Sequence, residues 1–379
     1  MISYGLYLSI YTFIAVASIL SCYVRITPAA ISQGRRNQQD IFIIFYAALL
    51  MGIFASIRPI EDSHDTFAYY KAYSYGLGAE GLSMLRFGAR FHNMEVLFLL
   101  FMNFLKQVGL SFRGVLFVFG FLNAWLLLTA AKSIAEECTG RPINVKRLIA
   151  VFMCSDAYYC FIMIRGGIGM GLALFGASCL LKREWARGAV FFSAGCLMHS
   201  TTILMVIPLG VLMFCTRRKF IVSRKLLLTI LLACVTSLMT NGGRFLINST
   251  MAELGRLIEQ FSVDGFGGYF EIDTNVGYSD WLIVSNSSII VYILSRPKNG
   301  LRNLCAAVCF GISVMSFLYP IRSISRAAGF GFIFLLPLMA SADMRRVTKL
   351  QRFYLRFAAN FLFLLNSSKV YIRMLADIL

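Results

Sequence analysis

Apolar residues run through this chain in long unbroken stretches, with the polar residues collected between them. Continuous runs, rather than the strict alternation of a barrel strand, predict helices, because only helices and closed barrels satisfy their own backbone in lipid. The runs place membrane spans near 4–24, 40–57, 112–131, 148–164, 166–181, 226–240, 281–295, 301–319, 327–341 and 352–366. Two segments fit less simply. Residues 93–108 are short and carry Glu95, Asn103 and Lys106; residues 188–215 are too long for one ordinary span and hold His199-Ser200 near their middle. The expectation is an all-α polytopic integral membrane protein, one transmembrane domain over 1–379 with about 10–13 membrane segments. Two long polar loops, 58–92 and 241–280, interrupt it. In the second, Thr250 and Glu253 fit a capping box, and Met251, Leu254, Leu257, Ile258 and Phe261 form one apolar face. That pattern predicts an amphipathic helix, followed by the glycine-rich stretch from Gly265.

Composition agrees with a membrane class. The chain is 58% hydrophobic and 14% charged, against roughly 25% charged in soluble domains, and its mean hydropathy is +0.72. A net charge of +18 would point to nucleic acid in a soluble protein. Here much of the excess sits in short loops between spans, which is the positive-inside pattern, so nucleic-acid binding is set aside. The ten cysteines avoid both long loops, mostly lie in apolar runs and form no CxxC pair, so they read as small buried side chains. The first apolar run has no Lys or Arg before it, unlike a signal peptide, and Arg25, Arg35 and Arg36 follow it, which predicts an outside N-terminus.

Charge also selects between two topologies. If 188–215 is a bent pair and 93–108 dips in and out on one side, the cytoplasm holds 25–39, 132–147, 182–187 and 216–225, with three, four, three and five Lys or Arg. If each is a simple span, 132–147 and 182–187 face outward with seven basic residues. The first arrangement fits the positive-inside rule better. It places both long loops, Arg165, His199 and the Arg322–Arg326 corner on the outer side.

That convergence frames the candidate chemistry. An intramembrane arginine is costly unless it has a partner, and a guanidinium grips phosphate through two parallel hydrogen bonds. Arg58, Arg165, Arg322 and Arg326 are therefore candidate ligands for an anionic lipid head group. Arg322 and Arg326 stand four apart, where like charges on a helix repel by about 0.2–0.5 kcal/mol unless an anion lies between them. Arg165 is followed by Gly166, Gly167, Gly169 and Gly171, which permit close approach. Asp65, Glu95 and His199 are the candidate bases, His199 foremost because imidazole titrates near neutrality. Tyr69 and Tyr70 offer ring faces to a sugar. Glu271 and Asp273 form a weak acidic pair; the three histidines lack zinc spacing, and no phosphate-loop or dinucleotide motif occurs, so no metal or cofactor is expected.

Five segments in order resemble the EpsG-type membrane proteins, relatives of the Wzy O-antigen polymerases. Arg58 with Asp65-Thr-Phe-Ala-Tyr69-Tyr70 resembles their R and D-x-x-x-Y opening, and Glu95-Val-Leu-Phe98 resembles their E-x-x-F/L segment. Ile164-Arg165-Gly166-Gly167 with the Leu-Ala-Leu that follows is similar to their I-R-Q-G-L-A-L helix. Lys182-Arg183-Glu184-Trp185 and the later Met198-His199-Ser200-Thr201 resemble K-R-x-W and F-H-x-S/T, and Arg322 to Arg326 resembles a late R-I-S segment. Gly166 departs from the family's glutamine, and the first motif lacks the usual glycine before Asp65. The resemblance implies a GT-C-type bundle and an inverting, metal-independent glycosyltransferase at the outer face of a bacterial inner membrane. Its substrate would be an oligosaccharide repeat unit on undecaprenyl diphosphate, and its partners membrane lipids and a chain-length-regulating co-polymerase. A flippase of a lipid-linked anionic glycan and an O-antigen ligase are the alternatives; a transporter would also need buried arginines but should show paired broken helices.

Overall fold

The computed structural model describes residues 4–21, 33–60, 64–75, 95–161, 163–240, 278–297, 300–317 and 329–366. Among these residues every regular element is helical. Four helices among the described residues are long and apolar enough to cross a membrane: Asn37–Ser56, Phe112–Thr139, Ile164–Leu181 and Ser200–Arg217. Shorter apolar helices accompany them, so the chain is a membrane protein of all-α class. The predicted amphipathic helix at 250–261, the Glu271–Asp273 pair, Arg322 and Arg326 lie outside the described residues.

The chain forms two compact units, Met1–Ile203 with Arg356–Leu379, and Leu204–Leu355. The first unit contains α1 (Tyr4–Ser21), α2 (Gln33–Ser56), α3 (His64–Tyr75), α4 (Val96–Gln107), α5 (Phe112–Thr139), α6 (Val145–Ser155), α7 (Ile164–Leu181) and α8 (Trp185–Met198). Helices α2 and α5 meet at small residues. A Cβ on Gly120 would come within 2.6 Å of the Ala55 Cβ and 2.9 Å of the Met51 carbonyl. Helices α7 and α8 form an antiparallel hairpin by the same device: Gly169 faces Gly195, and Gly176 faces Gly188. The two glycines on each helix are seven residues apart, two turns, so one stripe of each helix lies backbone to backbone.

Three helix ends share one stop. After α4, α7 and the later helix Val206–Arg217, the chain makes paired six-to-one and five-to-two hydrogen bonds: Leu110 to Leu105 with Gly109 to Lys106, Glu184 to Cys179 with Arg183 to Leu180, and Phe220 to Cys215 with Lys219 to Thr216. This Schellman stop needs a left-handed residue. Gly109 supplies it at φ 89°, but Arg183 and Lys219 supply it at φ 69° and 50°. A non-glycine residue there is strained, and a cation beside the free carbonyls at a helix C-terminus offsets part of that cost.

One predicted span of this unit is broken, 148–164, and the two segments that fitted less simply take the bent and the short form expected of them. The segment 148–164 is not one helix: α6 ends at Ser155, a 3₁₀ turn covers Ala157–Cys160, and α7 begins at Ile164. The segment 188–215 breaks at His199, where α8 gives way to a 3₁₀ stretch, Ser200–Met205. Helix α4 has 12 residues, about 18 Å of rise, too short for a hydrocarbon core of about 30 Å.

The second unit holds α9 (Val206–Arg217), α10 (Arg224–Met239), α11 (Tyr278–Leu294), α12 (Leu301–Phe317), α13 (Gly329–Phe332), α14 (Leu335–Ala340) and α15 (Lys349–Phe353). Here 327–341 is also broken, into α13 and α14. Helix α12 packs against α9, α10, α11 and α13, and Arg302 on it caps the end of α11 through the carbonyls of Ser295 and Arg296. A capping box at Thr348 and Gln351 starts α15.

Candidate active site

The break after α8 sets the site. His199 leaves the helix in an extended conformation, φ −155° and ψ 109°, with its N–H still donating to the Gly195 carbonyl at 3.0 Å. Gly169 makes the turn possible: a Cβ there would lie 2.8 Å from both the His199 Cβ and the Thr202 hydroxyl. Gly166 is different. A Cβ on it would meet the His199 ring at ordinary contact, 3.6 Å from Cδ2 and 3.7 Å from Nε2.

Glu95 crosses to this break from the start of α4. It occupies the N-cap position yet makes no side-chain cap for its own helix. Its Oε1 accepts hydrogen bonds from the Ser200 N–H at 2.9 Å and the Ser200 hydroxyl at 3.1 Å, and pairs with His199 Nδ1 at 3.1 Å. Its Oε2 lies 2.9 Å from Arg165 Nη1, a close ion pair without the alignment of a hydrogen bond. Burial by itself raises this carboxyl. The His199 hydrogen bond, the Arg165 charge and the Ser200 N–H together outweigh burial and bring it from 4.5 down to about 2. With an ionised carboxylate on Nδ1, the neutral imidazole carries its proton there and leaves a lone pair on Nε2, the nitrogen beside Gly166.

Arg165 is the second residue of α7, and Asn123 fixes where that helix starts. Asn123 is fully buried on α5, and its Nδ2 donates to the carbonyls of Tyr159 at 2.8 Å and Ile164 at 3.1 Å. Gly167 packs against it so closely that a Cβ would sit on the Tyr159 carbonyl. One buried amide thus ties the 3₁₀ turn before α7 to the residue preceding Arg165.

Beneath these groups lies one apolar cluster. It holds Ile164 before Arg165, Met198 before His199, and Phe98 one turn after Glu95, with Leu97 and Ile60 packed against it. Arg58, Glu95, Arg165 and His199 therefore come from segments whose neighbours share a single core. The other candidates fare differently. Tyr69 is buried, 6% exposed, and its ring packs on Phe98 at 5.2 Å, so it is a core residue and offers no face to a sugar. Tyr70 is 39% exposed against Phe112. Asp65 stands in the first turn of α3, and its side chain is not among those described. Arg58 follows the end of α2 and is 1% exposed. Two contributors were missed from sequence. Ser200 gave only a polar residue beside His199; Asn123 gave a lone amide in an apolar run, which reads equally as packing.

No curated protein and no solved structure matched the chain. A model of the EpsG family matches residues 41–374, nearly its whole length. The matched stretch contains every residue of the Glu95, Arg165 and His199 constellation and its Asn123 support. The chain belongs to the EpsG family, membrane proteins of the Wzy-type, polymerase-like glycosyltransferase kind.

Proposed function

We propose that the protein polymerises oligosaccharide repeat units carried on undecaprenyl diphosphate, as an inverting and metal-independent transferase at the periplasmic face of a bacterial inner membrane. Family membership supports the polymerase class. The observation that carries the mechanism is the junction of Glu95, Arg165 and His199, drawn from three segments that lie far apart in sequence.

An acceptor hydroxyl on the incoming lipid-linked unit attacks the anomeric carbon of the growing glycan. The new glycosidic C–O bond forms as the bond to the lipid diphosphate breaks. The hydroxyl proton passes to His199 Nε2, and Glu95 on Nδ1 balances the imidazolium that results. The bonding electrons leave with the diphosphate, where fixed cations are worth most. Arg165 serves this role from the described site; Arg322 and Arg326, outside the described residues, are candidates for the same role from sequence alone.

The test is a polymerisation assay. Purified protein in nanodiscs receives the native undecaprenyl-diphosphate-linked repeat unit, a chelator and no nucleotide sugar. A ladder of products that disappears in His199→Ala is the expected result. No ladder from folded protein would overturn the polymerase reading, and an unchanged ladder in His199→Ala would overturn the assignment of the base.

A further inference from the structure

A membrane protein has few ways to tolerate a buried guanidinium, and Arg58 uses none that the described residues supply. The side chain is 1% exposed, and its Nε, Nη1 and Nη2 are all buried without a hydrogen-bond acceptor. Among the described residues, every other large side chain buried this deeply is apolar or a tyrosine. Removing a charge from water is strongly unfavourable unless acceptors replace the lost hydration. Five N–H donors in a planar fork call for an oxyanion with several oxygens.

The backbone holds this group at a definite place. Ile57 makes the last helical bond of α2, to Ile53, and Pro59 prevents continuation. Ile60, two residues on, packs against the cluster that contains Ile164 and Met198, the residues just before Arg165 and His199. Arg165 already has a carboxylate at 2.9 Å. Arg58 has no such counter-ion among the described residues.

We propose that Arg58 is a dedicated phosphate-binding residue, an oxyanion site whose donors take no acceptor from the described residues and are open to a diphosphate group. This deepens the polymerase reading and rests on it only in naming a lipid-linked diphosphate as the source of the phosphate. It implies an inverted stability effect. Replacing the cation with an apolar side chain of similar length should leave the ligand-free protein as stable as before, or more so.

Thermal unfolding and ligand binding of the full-length protein in nanodiscs test this apart from turnover. Wild type, Arg58→Met and Arg58→Lys are each titrated with inorganic pyrophosphate and with undecaprenyl diphosphate. Arg58→Met is expected to bind both at least tenfold more weakly while its ligand-free Tm stays level or rises. Arg58→Lys, which keeps the charge but loses the fork, should fall between. A lower Tm or failure to fold in Arg58→Met would mean the chain itself supplies the acceptor, and would overturn the proposal. So would unchanged binding at any Tm. Binding of the lipid alone, without pyrophosphate, would mean that the prenyl chain carries the affinity and would overturn the proposal; equal binding of both would assign the site to the diphosphate itself. A protein that binds through Arg58 yet makes no polymer would unseat the polymerase reading and leave the anion site standing.

Discussion

Arg58 and Arg165 are both interruptions of apolar sequence, and the fold treats them in opposite ways. Arg165 is part-exposed and pairs with Glu95, which is itself fixed by His199 and Ser200. Arg58 is sealed off without an acceptor from the described residues. A paired cation is preorganised: its position is set before substrate arrives, and its charge is partly neutralised. An unpaired one is held in place by packing alone and keeps its full field for a ligand. The contrast gives residues that look alike in sequence different surroundings, and it can be tested from the Arg165 side.

The largest effect belongs to Arg165→Ala. If Arg165 both positions Glu95 and meets the leaving diphosphate, polymerisation should fall by at least about 10²-fold. Stability should fall too, because Glu95 keeps its burial and loses its cation. Fully buried pairs cost about 3–5 kcal/mol when one partner is removed; this pair is partly solvated, so about 1–2 kcal/mol is expected. Product length by gel and Tm on the same preparation give both numbers. A variant with normal polymer length, or one more stable than wild type, would erase the distinction between the two arginines.

Glu95→Gln comes next. The amide keeps the shape and still accepts from Ser200, but cannot balance an imidazolium or a guanidinium, so a loss of about 10-fold to 10²-fold in rate is expected. The variant also isolates a pH effect. The folded carboxyl titrates near 2 against an ordinary 4.5. A depressed carboxyl contributes stability that is complete above about 4.5 and is lost as pH falls toward 2. Wild type should therefore lose Tm across that window faster than Glu95→Gln, and the two curves should run parallel above it. Parallel curves throughout would mean that Glu95 is not held ionised by its neighbours.

These residues differ in how readable they were. Arg165, Glu95 and His199 stand out because an ionisable group in an apolar run is conspicuous by its cost. Their mutual contact was not readable: Glu95 reaches His199 only because α4 stops short of a span and α8 breaks at its end, and both depend on packing between helices distant in sequence. The break at Ser155 was hidden because the residues on either side are mostly apolar and neither proline nor glycine marks it; hydropathy measures burial, not helicity. Tyr69 looked accessible because its neighbours are polar, but its place on α3 turns it toward Phe98. The Schellman stop at Arg183 was silent because an arginine does not advertise a left-handed turn. The glycines were legible as close contacts, though not as to which contact each one serves.

That last gap supplies the finest test of the comparison, since two glycines of α7 flank His199 in different ways. Gly169→Ala places a methyl 2.8 Å from the His199 Cβ, so α8 or the histidine must move, at a cost of about 1–3 kcal/mol. The Arg165 side of the comparison then loosens, and the rate should drop with the Tm. Gly166→Ala places its methyl 3.7 Å from Nε2, a contact that needs no rearrangement. Alanine is a better helix former than glycine by up to about 1 kcal/mol, so the variant should be level with wild type or slightly more stable. If Nε2 receives the acceptor proton, the added methyl crowds the acceptor and not the ion pair: the KM for the lipid-linked acceptor should rise while the Arg165-dependent kcat holds. A fall in kcat with unchanged KM would show instead that residue 166 adjusts the position of Arg165, and the two arginines would then differ in setting more than in role.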